Sequence, residues 1–289
     1  MIKKQPFVDQ SAVTGQSIDK MLNTIRIPPR PSLLLEVQHE LNRADPSPQK
    51  LSFIIGQDVA MSAALLKLAN SAFIGLRLKA KSVEQAVMRL GMEQCSLLLT
   101  GLLAREVVQV EGISLNQFWD SSNKRAQAMG HYAKKMTLCR SDIAHTFGLF
   151  SNIGVPLMMS KFPDYSAILD RAPGVGQCAT TTVEDQCFST NHAALGSLMA
   201  RTWGLPSEVV DAILLHHFYD VLHDPSTPNT VRNLVALSLL VDYGIFHFHS
   251  SKKMPDWEVG GAAVCAYLGI SQSEAEDISD QIQQMFDET

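Results

Sequence analysis

The sequence predicts an all-α protein, and three observations support that prediction. Apolar residues recur at helical spacing along most of the 289 residues. No segment shows the sustained alternation of apolar and polar residues that a half-buried strand needs. Prolines and capping residues stand at the starts of several periodic segments, where a helix accepts them. We therefore expect helices that pack against one another around a shared core.

The first part of the chain predicts five helices. Pro31 suits a first helical position, and the prolines of segment 45–48 break the helix that follows it. Ser82 and Gln85 form a capping-box pattern, in which each side chain satisfies a free backbone group, and Gly91 ends the helix that they open. The five helices are expected at about 32–41, 48–57, 60–69, 83–90 and 92–108.

The second part of the chain follows a weak linker candidate at 110–116 and is again helical. Segment 171–182 contains Pro173, Gly174, Gly176 and three threonines, so a loop is expected there. The other segments have helical periodicity, and several end at a proline or a glycine. The helices are expected at about 118–136, 143–159, 190–203, 206–219, 229–248 and 271–286.

The composition excludes several classes of protein. Hydrophobic residues make up 46% of the chain and charged residues 18%, with a net charge of −5. The low charge excludes a disordered tail and a basic arm, so no nucleic-acid partner is expected. Mean hydropathy is +0.03, but no uninterrupted apolar run approaches the roughly 18–20 residues of a membrane span. We therefore expect no membrane partner.

The N-terminus and the cysteines indicate the compartment. The first ten residues, MIKKQPFVDQ, have a charged tip but no apolar segment of the kind found in a signal peptide. The five cysteines are odd in number and scattered, and they form no CxxC pair. A reduced, cytoplasmic setting is the expectation that follows.

Three histidines are candidates for a metal site. His192 stands near the start of one predicted helix, and His216 and His217 stand near the end of the next. Antiparallel packing of these helices would bring the three imidazoles together. In the structural alternative, His192 is a capping-turn histidine and the other two are favoured at a helix end by the dipole. Spacing alone favours the structural alternative, because a catalytic metal site also needs carboxylates.

Several blocks of sequence resemble a known signalling domain. The most specific is Leu68-Ala69-Asn70-Ser71, and the resemblance covers roughly residues 20 to 220. The chain resembles the HDOD domain, a bacterial signalling module related to the HD and HD-GYP metal-dependent phosphohydrolases. The blocks lie at 27–31, 58–73, 81–91, 118–119, 148–154 and 192–217.

The resemblance implies a degenerate metal centre. Ser151 and Asn152 stand where HD phosphohydrolases have their His-Asp pair, and neither is a good transition-metal ligand. An earlier family histidine falls near Ser121 or Ser122, and Asp242 is one turn from the place of the late family aspartate. The resemblance thus implies that the bridging carboxylate and two other ligands are lost.

The same resemblance implies which histidines remain. His192 matches the third family histidine, and His216 with His217 matches the His-His pair of the HD-GYP branch. The Gly-Tyr-Pro loop of that branch is replaced by segment 218–221. No cofactor is therefore expected, although a single adventitious divalent metal on the three histidines is left open.

Other residues are predicted to be structural. Asn70 and Ser71 close a helix, where their side chains can satisfy backbone groups, so ligand contact is the less favoured alternative. Trp119 and Trp203 are expected in the core, and His145 in packing or at the surface.

The resemblance and the helix pattern together predict an architecture. An N-terminal extension (1–25) is followed by an HDOD domain (26–222). Within that domain, a helical bundle (26–110) packs on an HD-like bundle (116–222). Helices in 223–289 are expected to complete the HD-like bundle.

The implied function is that of a non-catalytic signalling output or adaptor module. Such a module would act through contacts with signalling proteins, and a nucleotide ligand is left open. The alternative is a phosphohydrolase that acts on a nucleotide or cyclic dinucleotide with a rearranged ligand set. The oligomeric state is not predicted.

Overall fold

The computed structural model describes residues 27–70, 78–171, 180–249 and 254–287. This part of the chain is helical and contains no strand, apart from an isolated antiparallel bridge between Val110 and Ile113. The all-α prediction is therefore confirmed. The N-terminal extension (1–25), Ser71 and most of the loop predicted at 171–182 lie outside the described residues.

Five helices form the N-terminal bundle, and polar side chains cap three of them. The Ser47 hydroxyl accepts a bond from Lys50 N, Asp58 Oδ1 from Met61 N, and the Ser82 hydroxyl from Gln85 N. Gln85 reaches back to Lys81 N instead of the Ser82 amide of an ideal capping box. The helices are α1 (Ser32–Leu41), α2 (Pro48–Gly56), α3 (Val59–Ala69), α4 (Val83–Leu90) and α5 (Met92–Val107).

The remaining helices form a second bundle around the long helices α6 and α13, which pack against each other. A short 3-10 helix (Tyr219–His223) follows α12. The helices are α6 (Asn116–Lys135), α7 (Ser141–Phe150), α8 (Gly154–Lys161), α9 (Tyr165–Arg171), α10 (Thr180–Phe188), α11 (His192–Thr202), α12 (Ser207–Leu215), α13 (Asn229–His249), α14 (Pro255–Leu268) and α15 (Gln272–Asp287).

The prediction of one helix over 143–159 is wrong, because the chain turns between α7 and α8. Two backbone bonds at the turn span only three residues, from Ile153 N to Phe150 O and from Val155 N to Asn152 O. At Gly154 the chain also meets α11 so closely that a Cβ atom would lie 1.9 Å from the His192 carbonyl oxygen. A straight helix would collide there with α11.

Three other predictions differ from the structure. Helix α12 ends at Leu215 and not at 219, so both candidate histidines follow the helix. Helix α10 begins at Thr180, inside the predicted loop. Helices α9, α10 and α14 were not among the predicted helices. Helix α14 buries Trp257, Gly260, Gly261 and Val264 on one face, but its exposed face carries further apolar residues, Val259, Ala262 and Ala266, which weaken the amphipathic signal.

A continuous core joins the two bundles. Helix α5 packs against α1 and α3 on one side and against α7 on the other. The Gln38 side chain donates to the carbonyl oxygens of Trp203 and Gly204, and Trp203 Nε1 donates to the Pro28 carbonyl oxygen. Trp119 and Trp203 are buried, as predicted. The polar bonds fix α1 against the end of α11.

The apolar helices α2 and α3 belong to this core. Leu51, Ile55 and Leu65 are fully buried within the bundle. No single helix in the described ranges combines the length and apolar composition of a membrane span. Only α2 and α3 satisfy both criteria, and they do so as a pair bent by 120°.

Candidate metal centre

Three imidazoles converge at the point where α11 begins and α12 ends. His192 Nε2 lies 3.4 Å from His216 Nε2 and 3.2 Å from His217 Nε2. His192 and His216 are each 2% exposed, and the His217 side chain is 15% exposed. The prediction that helix packing could gather these three side chains is confirmed.

Local structure positions His192 at the first residue of α11. The Asn191 side chain caps the helix by accepting a bond from Ala194 N at 2.8 Å. Gly204, with φ +71°, then turns the chain between α11 and α12. The two helices pack side by side, with Gly196 against Ile213. This hairpin brings the end of α12 back to the start of α11.

A buried carboxylate holds the His192 ring. Glu184 on α10 is fully buried and accepts bonds from His192 Nδ1 at 2.7 Å and His192 N at 2.9 Å. Its other oxygen accepts a bond from the Tyr165 hydroxyl. Burial alone would raise the pKa of Glu184, but the bonds from His192 and Tyr165 outweigh it and keep the pKa below its usual value. Because the ionised carboxylate can only accept a hydrogen bond, the single ring proton of neutral His192 lies on Nδ1.

His216 is held by a backbone acceptor. Its Nδ1 lies 2.7 Å from the Ile213 carbonyl oxygen, which can only accept, so Nδ1 carries a proton. Burial, with the neighbouring histidines, lowers the His216 pKa well below its usual value. The ring is therefore neutral, and its Nε2 lone pair faces the cluster. Asn152 Oδ1 lies 3.2 Å from that atom.

The third imidazole has a carboxylate neighbour on α14. His217 Nδ1 lies 3.2 Å from Asp256 Oδ2, which is an ion-pair distance without hydrogen-bond geometry. Asp256 is 9% exposed, and its Oδ1 atom is buried without a hydrogen-bond partner. Close packing of Gly260 on the Tyr219 ring brings α14 to this place. An oxygen atom therefore lies near Nδ1 of each histidine, as a hydrogen-bond acceptor for His192 and His216 and at ion-pair distance for His217.

The residues that the resemblance places at degenerate HD positions lie in different environments. Ser151 is 1% exposed, and its hydroxyl donates to the Gly148 carbonyl oxygen at 3.4 Å. Asn152 contacts His216, as described above. Neither Ser121 nor Ser122 hydrogen-bonds to the three histidines. Asp242 accepts a bond from Arg125 at 2.6 Å and is thereby occupied.

Sequence reasoning missed Glu184 and Asp256. Glu184 lies in a helix whose start was predicted as loop, and Asp256 lies in the first turn of a helix that was not predicted. Asp256 follows Pro255, and a proline followed by an acidic first turn is a helix-start signal. That signal could have indicated α14, but not its contact with His217.

Asn70 has the structural role that the sequence favoured. Its side chain donates to the Ala80 carbonyl oxygen at 2.8 Å and accepts from Ala80 N at 2.7 Å. It therefore joins the end of α3 to the segment before α4. His145 is buried, which agrees with a packing position.

Fold and site together define a class: all-α domains, here with a largely buried cluster of three histidines. The HDOD domain family model matches residues 27–219, and the chain belongs to that family. A protein of Treponema pallidum is 28% identical over 217 residues, which are 73% of this chain and 41% of that protein. The chain therefore spans about two fifths of the length of this relative.

Several solved structures have the same fold. A Shewanella amazonensis protein described as a "Putative phosphohydrolase" has a TM-score of 0.66 at 21% identity, covering 94% of this chain and 93% of its own. A Marinobacter aquaeolei "Putative signal transduction protein" has a TM-score of 0.63 at 19% identity, covering 93% and 62%. A Geobacter sulfurreducens HDOD domain protein of unknown function has a TM-score of 0.61 at 18% identity, covering 93% and 97%. At these identities the likeness shows the fold.

Proposed function

We propose that this chain is a non-catalytic signal-transduction module of the HDOD type that acts through contacts with other proteins. The observation that carries the proposal is the state of Ser151. Where catalytic relatives have the histidine of the HD pair, this buried hydroxyl bonds back to its own helix at Gly148. A hydroxyl held in this way supplies no metal ligand.

The carboxylates of the site support the same conclusion. A binuclear centre needs a carboxylate between two cations, because two close positive charges repel strongly. Glu184 and Asp256 instead lie at Nδ1 of their histidines, away from the Nε2 atoms that face one another. In the part of the chain that the structure describes, the cluster does not fit a binuclear centre. It fits one cation, for which the three Nε2 atoms are the available ligands.

Two further features support a role in protein contacts. Phe53, Val59 and Met88 on the N-terminal bundle are 61%, 81% and 65% exposed. Where such side chains form one contiguous patch, they mark a contact surface. The solved neighbour from Marinobacter aquaeolei is described as a "Putative signal transduction protein", which is consistent with the signalling role proposed for this chain. The net charge of −5 disfavours a nucleic-acid partner.

The second candidate is a phosphohydrolase acting on a nucleotide or cyclic dinucleotide, and the three-histidine cluster is the observation that favours it. Three histidines with a free fourth position are a known catalytic arrangement for zinc. In this chain, Asn152 Oδ1 lies at the cluster, 3.2 Å from His216 Nε2. An amide in the fourth position would exclude the water that hydrolysis needs.

A hydrolysis assay separates the two candidates. The full chain would be loaded with Zn²⁺, Mn²⁺ or Fe²⁺ and incubated with bis(p-nitrophenyl) phosphate. We expect no release of p-nitrophenol above that of a blank that contains only the metal and the buffer. Turnover that His192→Ala abolishes would overturn the proposal, provided that His131→Ala, at an exposed position, retains it.

Chemical cross-linking in cells tests the contact part of the proposal. We expect a defined protein partner, recovered in amounts comparable to the chain itself. A chain that cross-links to no protein but binds a nucleotide tightly would contradict the adaptor role.

A further inference from the structure

We propose that His192, His216, His217 and Asn152 form a closed, four-coordinate site for one divalent transition cation of the Zn²⁺ type. The inference concerns ligand binding and goes beyond the proposed signalling function. The metal would connect the start of α11, the residues after α12 and the turn between α7 and α8. Such a site would be structural, because the three imidazoles supply the strong ligands and the Asn152 amide oxygen, a weak ligand on its own, fills the fourth position.

The distances between the ring nitrogens match this geometry. Zinc binds imidazole nitrogen at about 2.0–2.1 Å, so two ligands of a tetrahedral site lie about 3.3–3.4 Å apart. The Nε2 atoms of His192 and His216 are 3.4 Å apart, and those of His192 and His217 are 3.2 Å apart. Asn152 Oδ1 is 3.2 Å from His216 Nε2, which is close to the same spacing.

The proton positions also favour a cation. In His192 and His216 the Nδ1 proton is directed to Glu184 and to the Ile213 carbonyl oxygen, respectively. Two Nε2 lone pairs therefore face each other in a buried place, and a cation bound between them would make that contact favourable. Metal-binding histidines characteristically donate their other nitrogen to a carboxylate or a backbone carbonyl.

The charge of the surroundings fits a dication. The four proposed ligands are neutral, whereas Glu184 and Asp256 lie directly behind two of the rings. These two carboxylates would together balance a charge of +2. The buried Asp256 Oδ1 atom has no hydrogen-bond partner, so a nearby positive charge would also offset its loss of solvation.

Metal content and thermal stability test the inference. The full chain would be stripped with a chelator, reloaded with Zn²⁺, and measured for bound metal by mass spectrometry and for Tm. We expect one zinc per chain and a higher Tm after loading. His217→Ala, the least buried of the three, should abolish stoichiometric binding. Glu184→Gln should weaken it about 10–100-fold, the usual effect of losing an orienting partner.

His131→Ala is the matched control, because His131 is exposed, and it should bind zinc like the wild type. No zinc uptake by the wild type, two zinc ions per chain, or unchanged uptake by a folded His217→Ala variant would each overturn the inference. If that variant does not fold, Co²⁺ loading of the wild type decides. Intense visible absorption, typical of tetrahedral Co²⁺, supports the closed site, and the weak absorption of octahedral Co²⁺ contradicts it.

The outcomes separate this inference from the proposed function. Zinc binding with turnover would overturn the signalling proposal and the closed fourth position, while the three histidine ligands would remain. Absence of both zinc and turnover would overturn the metal site alone. Zinc binding without turnover is the result expected from both proposals.

Discussion

Glu184 is the residue on which the order of the histidine cluster most depends. It is fully buried and yet ionised, because a tyrosine hydroxyl, a ring nitrogen and a backbone amide all donate to it. A buried carboxylate is costly unless it is paired in this way. Hydrogen bonds from Tyr165 on α9 and from His192 on α11 offset this cost. The carboxylate of Glu184 thereby joins α9, α10 and α11.

Removing the tyrosine hydroxyl should therefore destabilise the fold. We expect Tyr165→Phe to lower the free energy of unfolding by about 1.5–3 kcal/mol, because a bond to a charged acceptor is lost. Tyr132→Phe is the matched control, since the Tyr132 hydroxyl faces the neutral Gln281 oxygen at 3.4 Å. Its loss should cost about 0.5–1 kcal/mol. Urea titration measures both values, and equal losses would contradict the role given to Glu184.

His145 gives a prediction about pH. Burial lowers the pKa of His145 to about 4, from an ordinary value of 6.5. Below pH 6.5 the unfolded chain takes up a proton that the folded chain refuses, so stability falls as the pH is lowered from 6.5 to 4. Over that range the protonation of this one group lowers the free energy of unfolding by about 3 kcal/mol.

The variant His145→Gln should reduce the slope of unfolding free energy against pH in that window by up to about 1.4 kcal/mol per pH unit. The measurement is urea unfolding at a series of pH values. His223→Gln, at an exposed position, should follow the wild-type curve. A His145→Gln curve parallel to that of the wild type would show that folding does not lower the proton affinity of His145.

At the scale of elements, the crossing of α8 and α11 positions the site. Gly154 and Gly196 meet there, and either glycine with a Cβ atom would press on the other helix. The contact brings the turn that contains Asn152 toward His192 at the start of α11. Small residues at a crossing allow such an approach, and larger ones force the helices apart.

Gly154→Ala should separate these helices. An added Cβ would lie 1.9 Å from the His192 carbonyl oxygen. We therefore expect the free energy of unfolding to fall by about 1–3 kcal/mol or more. Gly56→Ala is the control, because nothing lies within 4 Å of a Cβ at that helical position. It should be neutral or stabilising by up to about 1 kcal/mol. Thermal unfolding distinguishes them, and a Gly154→Ala variant as stable as wild type would contradict the close crossing.

At the scale of the whole molecule, the sequence predicted more of the fold than of the site. The helical spacing of apolar residues and the capping residues were sufficient to predict most helices. The positions of His192, His216 and His217 relative to the predicted helices indicated that the three side chains converge. Glu184 and Asp256 could not be found in this way, because their contacts depend on how α10 and α14 pack. The turn at residues 151–153 was also missed, although Gly154 and Pro156, two residues that interrupt helices, follow it directly in the sequence.

This distinction has a consequence for the proposed function. The resemblance in sequence implies that the HD pair is replaced, whereas the packing shows where the nearby carboxylates lie. Glu184 orients the His192 ring by a hydrogen bond, and Asp256 lies at ion-pair distance from His217 Nδ1. We propose on this basis a single closed site on a signalling fold.

X-ray anomalous scattering at the zinc edge tests this central claim most directly, with crystals of the zinc-loaded full chain. The account predicts one anomalous peak, about 2.0–2.1 Å from the three Nε2 atoms and in contact with Asn152. Two neighbouring peaks, or one peak with a bound water in place of Asn152, would indicate a catalytic centre and contradict the account.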